Sequence, residues 1–383
     1  MKRLTTLLSA SLMTLTLTLT LTMNAHAETL LVGSYTDGQS LGIYRYHFDT
    51  QQGRIDSTPL QVVRSVNPSW LVFSADQRLL FAVNESGEGQ GKASSFKLDD
   101  KGVITPLNQA SSRGDEPTHA SLSHDQRYLF VANYAVKPQP GGSLVAIPVG
   151  RDGQLGEVVQ QQRHAPSKVD PERQAGAHVH SLVFSPDGRY LYASDLGADK
   201  VFIYRYDGAS PEHPLSPANP AAVALPPGSG PRHLLFDAEG EHAYLTLEMS
   251  AEVVVFEVRD GALLERQRMA LTERKESAAK SAGALHLSAD GRFLYVSNRG
   301  TASELVVFAV DEDSGQLRLV QRRSVEGNEP REFSLDPSGK FMLVANQKSN
   351  EIRVMRRDPR SGEVGETVQV FSQGAPSDLK FLK

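Results

Sequence analysis

Two columns of an internally repeated segment carry the residue types that can do chemistry. The first column reads Ser69-Trp70, Thr118-His119, His180-Ser181, Arg232-His233, Gly283-Ala284, Arg331-Glu332 and Ser377-Asp378. The second reads Glu85, Tyr134, Leu196, Glu248, Arg299 and Gln347. An imidazole exchanges a proton near neutral pH, and a guanidinium offers paired donors to a carboxylate or a developing oxyanion. His119, His180, His233, Arg232, Arg299, Arg331, Glu85 and Glu248 together are more polar than a packed centre requires. No G-x-S-x-G elbow, P-loop or dinucleotide fingerprint is present, so direct attack by water is expected in place of a covalent intermediate. The chain has no cysteine, which excludes disulfides, thiolate metal sites and a Cys nucleophile. His178-x-His180 on an extended strand leaves open a metal site with Glu248 or Asp195, but no third ligand has diagnostic spacing. The expectation is therefore no metal and no cofactor. Arg232 and Glu248 have a structural alternative, a buried salt bridge between neighbouring units. Trp70, the only Trp, reads as channel packing or as a sugar platform.

The elements that must position these residues are best seen at residues 178–200, HVHSLVFSPDGRYLYASDLGADK. An apolar run, Leu182-Val183-Phe184, meets the turn Ser185-Pro186-Asp187-Gly188, and a second run, Tyr190-Leu191-Tyr192, ends at Asp195. Pro and Gly supply the φ values of a tight reversal, so the unit reads strand, turn, strand. It recurs from Pro68, Pro117, Pro231, Ala282 and Pro330, and a seventh copy is split. Residues 376–383 supply only a first strand and residues 29–35 only a second. Val- and Phe-rich third strands (200–206, 253–258, 305–310) and polar fourth strands such as 316–322 follow. Units of about 50 residues with four strands predict an all-β fold, a seven-bladed β-propeller, its ring closed by the C-terminal strand joining the N-terminal blade. Because the first two strands are antiparallel, both columns converge on one face near the central channel. A third column, Asn84, Asn133, Asp195, Leu247, Asn298 and Asn346, repeats its chemistry and reads as turn-forming. Loops 163–177, 210–230 and 271–281 enter the same face, as a lid or rim or as solvated linkers.

A net charge of −5 and a pI near 6.1 give no general attraction to nucleic acid or to an anionic membrane. Residues 1–27 read as a cleaved signal peptide, with basic Lys2-Arg3, an uncharged Leu/Thr-rich stretch and the Ala25-His26-Ala27 cleavage site. Residues 28–383 are then the exported domain, periplasmic and free of the membrane after cleavage.

The segments NES at Asn84, THASLSHDQRYLFVANY at Thr118, HVHSLVFSPDGRYLYASDLGAD at His178, GSGPRHLLFDAEGEHAYLTLE at Gly228, GRFLYVSNRG at Gly291 and PREFSLDPSGKFMLVANQ at Pro330 resemble the seven-bladed lactonase family. That family includes 6-phosphogluconolactonases of the propeller type and a muconate cycloisomerase, and with the signal peptide the chain is most similar to its periplasmic gluconolactonases. The resemblance runs from about Thr29 to the C-terminus. It implies that the catalytic groups fall on His180, Arg232, Glu248 and Arg299. His180 would be the base, Glu248 would orient it or share the proton, and the two arginines would hold the carbonyl oxygen and the product carboxylate. His119, His178, Asn133 and Asp195 would hold sugar hydroxyls, and Glu85, His233, Arg331 and Gln347 complete the substrate-binding set. Two departures stand out: Ala284 where relatives often carry Glu, and an expanded corner at residues 133–142. The implied partner is a small sugar lactone, and export favours an unphosphorylated one. A cycloisomerase and a non-catalytic scaffold are the alternatives.

Overall fold

The computed structural model describes residues 27–135 and 142–382. The expected signal peptide, up to residue 26, and part of the expanded corner, 136–141, lie outside the described residues. Seven antiparallel sheets are arranged as a seven-bladed β-propeller. Blade one joins the two ends of the chain, and the other six, numbered two to seven in chain order, are consecutive four-stranded meanders. In blade one the C-terminal strand Pro376–Leu382 is innermost and pairs with Ala27–Ser34 from Thr29 opposite Leu382 to Val32 opposite Leu379. Among the described residues no helix is long and apolar enough to cross a membrane.

The repeated turn has a clear physical cause. In blade four Ser185 Oγ donates to Asp187 Oδ1 at 2.6 Å and accepts the Tyr190 N–H at 3.1 Å, while Gly188 takes φ +71°. The side chains close the loop, and the fourth residue reverses it in the left-handed region. Blades two and three place Gln77 and Gln126 at that same position, at φ 54° and 58°.

Apolar burial is distributed between blades and not at the molecule's centre. Each of seven apolar clusters joins two neighbouring blades, as Phe48 and Leu379 of blade one meet Phe341 and Leu343 of blade seven. The driving force for folding is thus satisfied around the ring, and the innermost strands are left free to line the axis with polar side chains. One loop expectation is corrected. Within residues 210–230, Leu215–Ala224 is the outer strand of blade four. Its prolines are tolerated because an outermost strand has an unpaired edge.

Candidate active site

All seven innermost strands are irregular at the same place. Their pairing with the second strand slips between Pro68 and Trp70, Pro117 and His119, Val179 and Ser181, Pro231 and Leu234, Ala282 and Leu285, Pro330 and Glu332, and Pro376 and Asp378. A bulge sets an extra residue against its partner strand and re-aims the local side chains. In a regular strand, neighbours point to opposite faces. Here Ser69 with Trp70, Arg232 with His233, and Arg331 with Glu332 line one narrow cavity, joined by Thr118, His180 and Ser377. In these three blades the bulge brings two consecutive side chains to the cavity.

Glu248 is the hub of this cavity's upper side. Its Oε2 accepts Arg232 Nε at 3.2 Å and pairs with Arg299 Nη2 at 2.7 Å, while Oε1 accepts Arg173 Nη2 at 2.6 Å. Burial alone would raise the Glu248 carboxyl, but Arg299, Arg232, His180 and Arg173 together hold it well below the ordinary carboxylate range. It is a fixed anion. His180 Nε2 lies 3.9 Å from Glu248 Oε2, an ion-pair distance too long for a hydrogen bond. Arg232 is only 1% exposed, and burial, then repulsion from Arg299, lower its guanidinium from the ordinary value, though it remains cationic at neutral pH. Among the described residues, His180 Nδ1 and Arg232 Nη1 are buried without a hydrogen-bond partner. One can accept a proton and the other donates, and both residues line the cavity.

A second cluster flanks the first. Glu85 Oε2 accepts Tyr35 OH at 2.7 Å, Ser69 Oγ at 2.5 Å and Arg331 Nη2 at 3.2 Å, and Arg331 also lies over the Tyr35 ring. Below it, Lys380 Nζ sits 4.4 Å over the Trp70 ring and 3.3 Å from Asp378, and Glu332 meets His286 at 2.5 Å. Trp70 is tilted 30° against His119 with centroids 4.2 Å apart, and His233 stands edge-on to Trp70, His119 and His180. The Leu182 N–H donates to His119 Nδ1 at 3.3 Å, which fixes the proton of that neutral ring on Nε2.

The other sequence-predicted residues are placed as follows. Asn133 donates to the Ser112 carbonyl at 3.0 Å and to Ser143 Oγ at 3.2 Å, and Asn84, Asn298 and Asn346 donate in the same way to Val66, Ala279 and Val325. In these four blades the column staples the end of the second strand to the loop leading into its own blade. Asp195 performs the same task in blade four, accepting the His178 N–H at 2.8 Å and meeting His164 Nδ1 at 2.7 Å. Neither Asn133 nor Asp195 lines the cavity, because the staple turns both side chains away from the axis. His178 spends Nδ1 on the Tyr134 carbonyl and stacks on the Tyr134 ring, so it braces His180 from the side. Arg299 is largely consumed by Glu248, by Glu329 at 3.2 Å and by the Ser281 and Ala282 carbonyls. Gln347 opens a 3₁₀ turn at the rim, its N–H bonded to the Glu329 carbonyl. Among the described residues no group of three or more His, Asp or Glu converges as a metal site. Sequence reasoning missed Arg173, which stands outside the repeat on a loop, and also Tyr35 and Lys380, whose residue types carry no signal without the fold.

The imidazoles make stability depend on acid. Burial lowers His119 to about 3 and holds His180 and His233 well below their ordinary value, with Lys380 acting on His119 and Arg232 on all three. In the unfolded chain each titrates near 6.5. Below that pH the unfolded chain binds more protons than the folded one, so stability is full above about pH 6.5 and falls as the pH falls. The loss is about 1.4 kcal/mol per pH unit for each ring and at most about 4 for the three. Urea unfolding at pH 7.5, 6.5 and 5.5 checks this, and His119→Gln should flatten the slope by about a third. A midpoint unchanged over that range would contradict the buried, neutral imidazoles.

Comparison with known proteins bears on the site now described. The family model "Lactonase, 7-bladed beta-propeller" matches residues 29–381. The 6-phosphogluconolactonase of Bacillus subtilis is 32% identical over 355 residues, covering 92% of this chain and 97% of that protein. The 6-phosphogluconolactonase of Formosa agariphila is likewise 32% identical, over 358 residues, covering 92% and 99%. Among solved structures, the periplasmic gluconolactonase of Pseudomonas aeruginosa superposes with a TM-score of 0.90 at 54% identity, covering 93% of this chain and 99% of that one.

Proposed function

The chain belongs to the seven-bladed β-propeller lactonase family, and from that premise we propose that it is a periplasmic lactonase that opens an unphosphorylated sugar lactone of the D-glucono-1,5-lactone type. The observation that carries this reading is an acceptor and a donor, His180 Nδ1 and Arg232 Nη1, orphaned in the same cavity alongside Ser377 Oγ. A buried donor or acceptor left unmet costs about 1–3 kcal/mol, and a bound substrate that supplies both partners recovers it.

The reaction needs few groups. Water attacks the lactone carbonyl carbon while His180, held neutral by burial, takes its proton. The carbonyl electron pair moves onto oxygen, and the Arg232 guanidinium faces that oxyanion. Collapse of the tetrahedral species breaks the ring C–O bond, and the protonated His180 returns its proton to the departing alkoxide. The resulting carboxylic acid ionises, so the net change is one water consumed and one proton released. Both Glu248 oxygens are taken by arginines, so it fixes the Arg232 fork in place, while His180 Nδ1 is left unpartnered to accept the proton. Arg331, paired to Glu85 and lining the cavity, is better placed than Arg299 to meet a substrate oxygen.

The expected export of the chain supports an unphosphorylated lactone, since phosphorylated sugars are mainly cytosolic. The signal-peptide pattern of the first 27 residues and the compartment of the Pseudomonas aeruginosa relative support the location. A pH-stat assay with D-glucono-1,5-lactone, corrected for spontaneous opening, should show acid release proportional to enzyme. Release equal to the blank would refute the reading.

A further inference from the structure

Arg173 differs from every other cation at the site. Arg232 and Arg299 come from the blades and have side chains 2% and 8% exposed, whereas the Arg173 side chain is 44% exposed and reaches in from loop 163–177. It holds Glu248 by Oε1 alone, while the two buried arginines share Oε2. Its Nη2 also donates to Tyr134 OH at 3.2 Å, and the Tyr134 ring stands edge-on to His180.

The loop's backbone is tied down at both ends. His164 is wedged between Asp195 and Tyr204 OH, each at 2.7 Å, with its ring stacked on Phe202. Ser167 N–H donates to the Gly197 carbonyl at 2.8 Å, and Gln174 Nε2 donates to the Leu196 carbonyl at 2.9 Å. Asp170 Oδ1 accepts the N–H groups of Glu172 and Arg173, both at 2.9 Å. The backbone at Arg173 is therefore fixed, and only the long side chain is free to change partner.

We propose that Arg173 is a substrate-recruiting residue: its guanidinium exchanges from Glu248 Oε1 onto the ester oxygens of the incoming lactone and stays on the carboxylate of the product. This rests on the lactone-hydrolase reading. Only the Arg173 end of this pair is half-exposed, and the buried Glu248 keeps two other guanidinium partners, so giving this contact up costs less than breaking either buried pair, whereas a carboxylate in a ligand takes the guanidinium in bidentate geometry. Glu248 keeps both buried partners on Oε2, so the exchange leaves Arg232 in position. Release of Tyr134 OH at the same moment opens the side of His180 that the Tyr134 ring covers.

The test is Arg173→Gln in the full-length exported enzyme, with two readouts. Calorimetry with gluconate, the product carboxylate, should show binding weakened about tenfold, and turnover of D-glucono-1,5-lactone should show KM raised by a similar factor with kcat and Tm close to wild type. Arg173→Lys should recover part of both, as a point charge without the fork. Unchanged gluconate affinity and KM in folded Arg173→Gln would overturn the proposal, and so would a lowered Tm with affinity unchanged, which would make Arg173 a structural strap. A wild-type enzyme that binds gluconate through Arg173 but does not open the lactone would sink the hydrolase reading and leave the anion contact standing.

Discussion

Arg232→Ala is expected to lower kcat/KM by roughly 10²-fold or more and to destabilise the protein as well. The first effect follows from losing the donor that the proposed mechanism sets against the oxyanion. The second follows from burial: Arg232 is 1% exposed and shares the Glu248 carboxylate with Arg299. Removing one partner of a buried ion pair costs about 3–5 kcal/mol, here reduced because two arginines remain on Glu248. From sequence Arg232 reads as a group near the central channel or as half of a buried salt bridge with Glu248; the buried cluster makes it both, and so adds the cost in stability. His180→Ala should behave differently. It should lose a comparable factor in kcat/KM, yet at neutral pH it removes a neutral ring with an unmet Nδ1 and should spare the unfolding midpoint by comparison. Steady-state kinetics corrected for spontaneous lactone opening, paired with urea unfolding of each variant, separate the two. Wild-type kcat/KM in both variants would show that the chemistry lies elsewhere.

Deleting residues 376–383 should cost the ring most or all of its stability. The strand Pro376–Leu382 is the innermost strand of blade one, and Leu379 is buried in the cluster that joins blades one and seven. Loss of Leu379 alone is worth about 2–5 kcal/mol. The deletion also leaves the edge of Ala27–Ser34 unpaired, and it removes Ser377, Asp378 and Lys380 from beneath the site. Whole-domain stabilities are about 5–15 kcal/mol, so the variant should be largely unfolded or aggregated at 37 °C by circular dichroism. A thermal transition like that of the intact chain would disprove closure by this strand.

The sequence by itself determined the seven-fold architecture and its split blade, because each unit writes its apolar runs and its turn locally, as in the Ser-x-Asp turn at Ser185–Gly188, and neighbouring blades need only those runs to bury their faces. It also determined which columns vary, and so brought His180, Arg232, Glu248 and Arg299 onto one list before any coordinates; the fold sets all four in a single cluster. The tertiary structure alone decided the rest. The bulge at each inner strand has no residue signature, since it is a mismatch between two strands, yet it turns Arg232 and His233 together to the axis. Asn133 and Asp195 share the chemistry of ligand-binding residues, and only their hydrogen bonds to Ser112 and His178 mark them as staples. Arg173 reaches Glu248 across 75 positions of sequence. Periodicity reports which residues a strand buries, but which polar atoms meet at the axis depends on how seven separately folded sheets are packed around it.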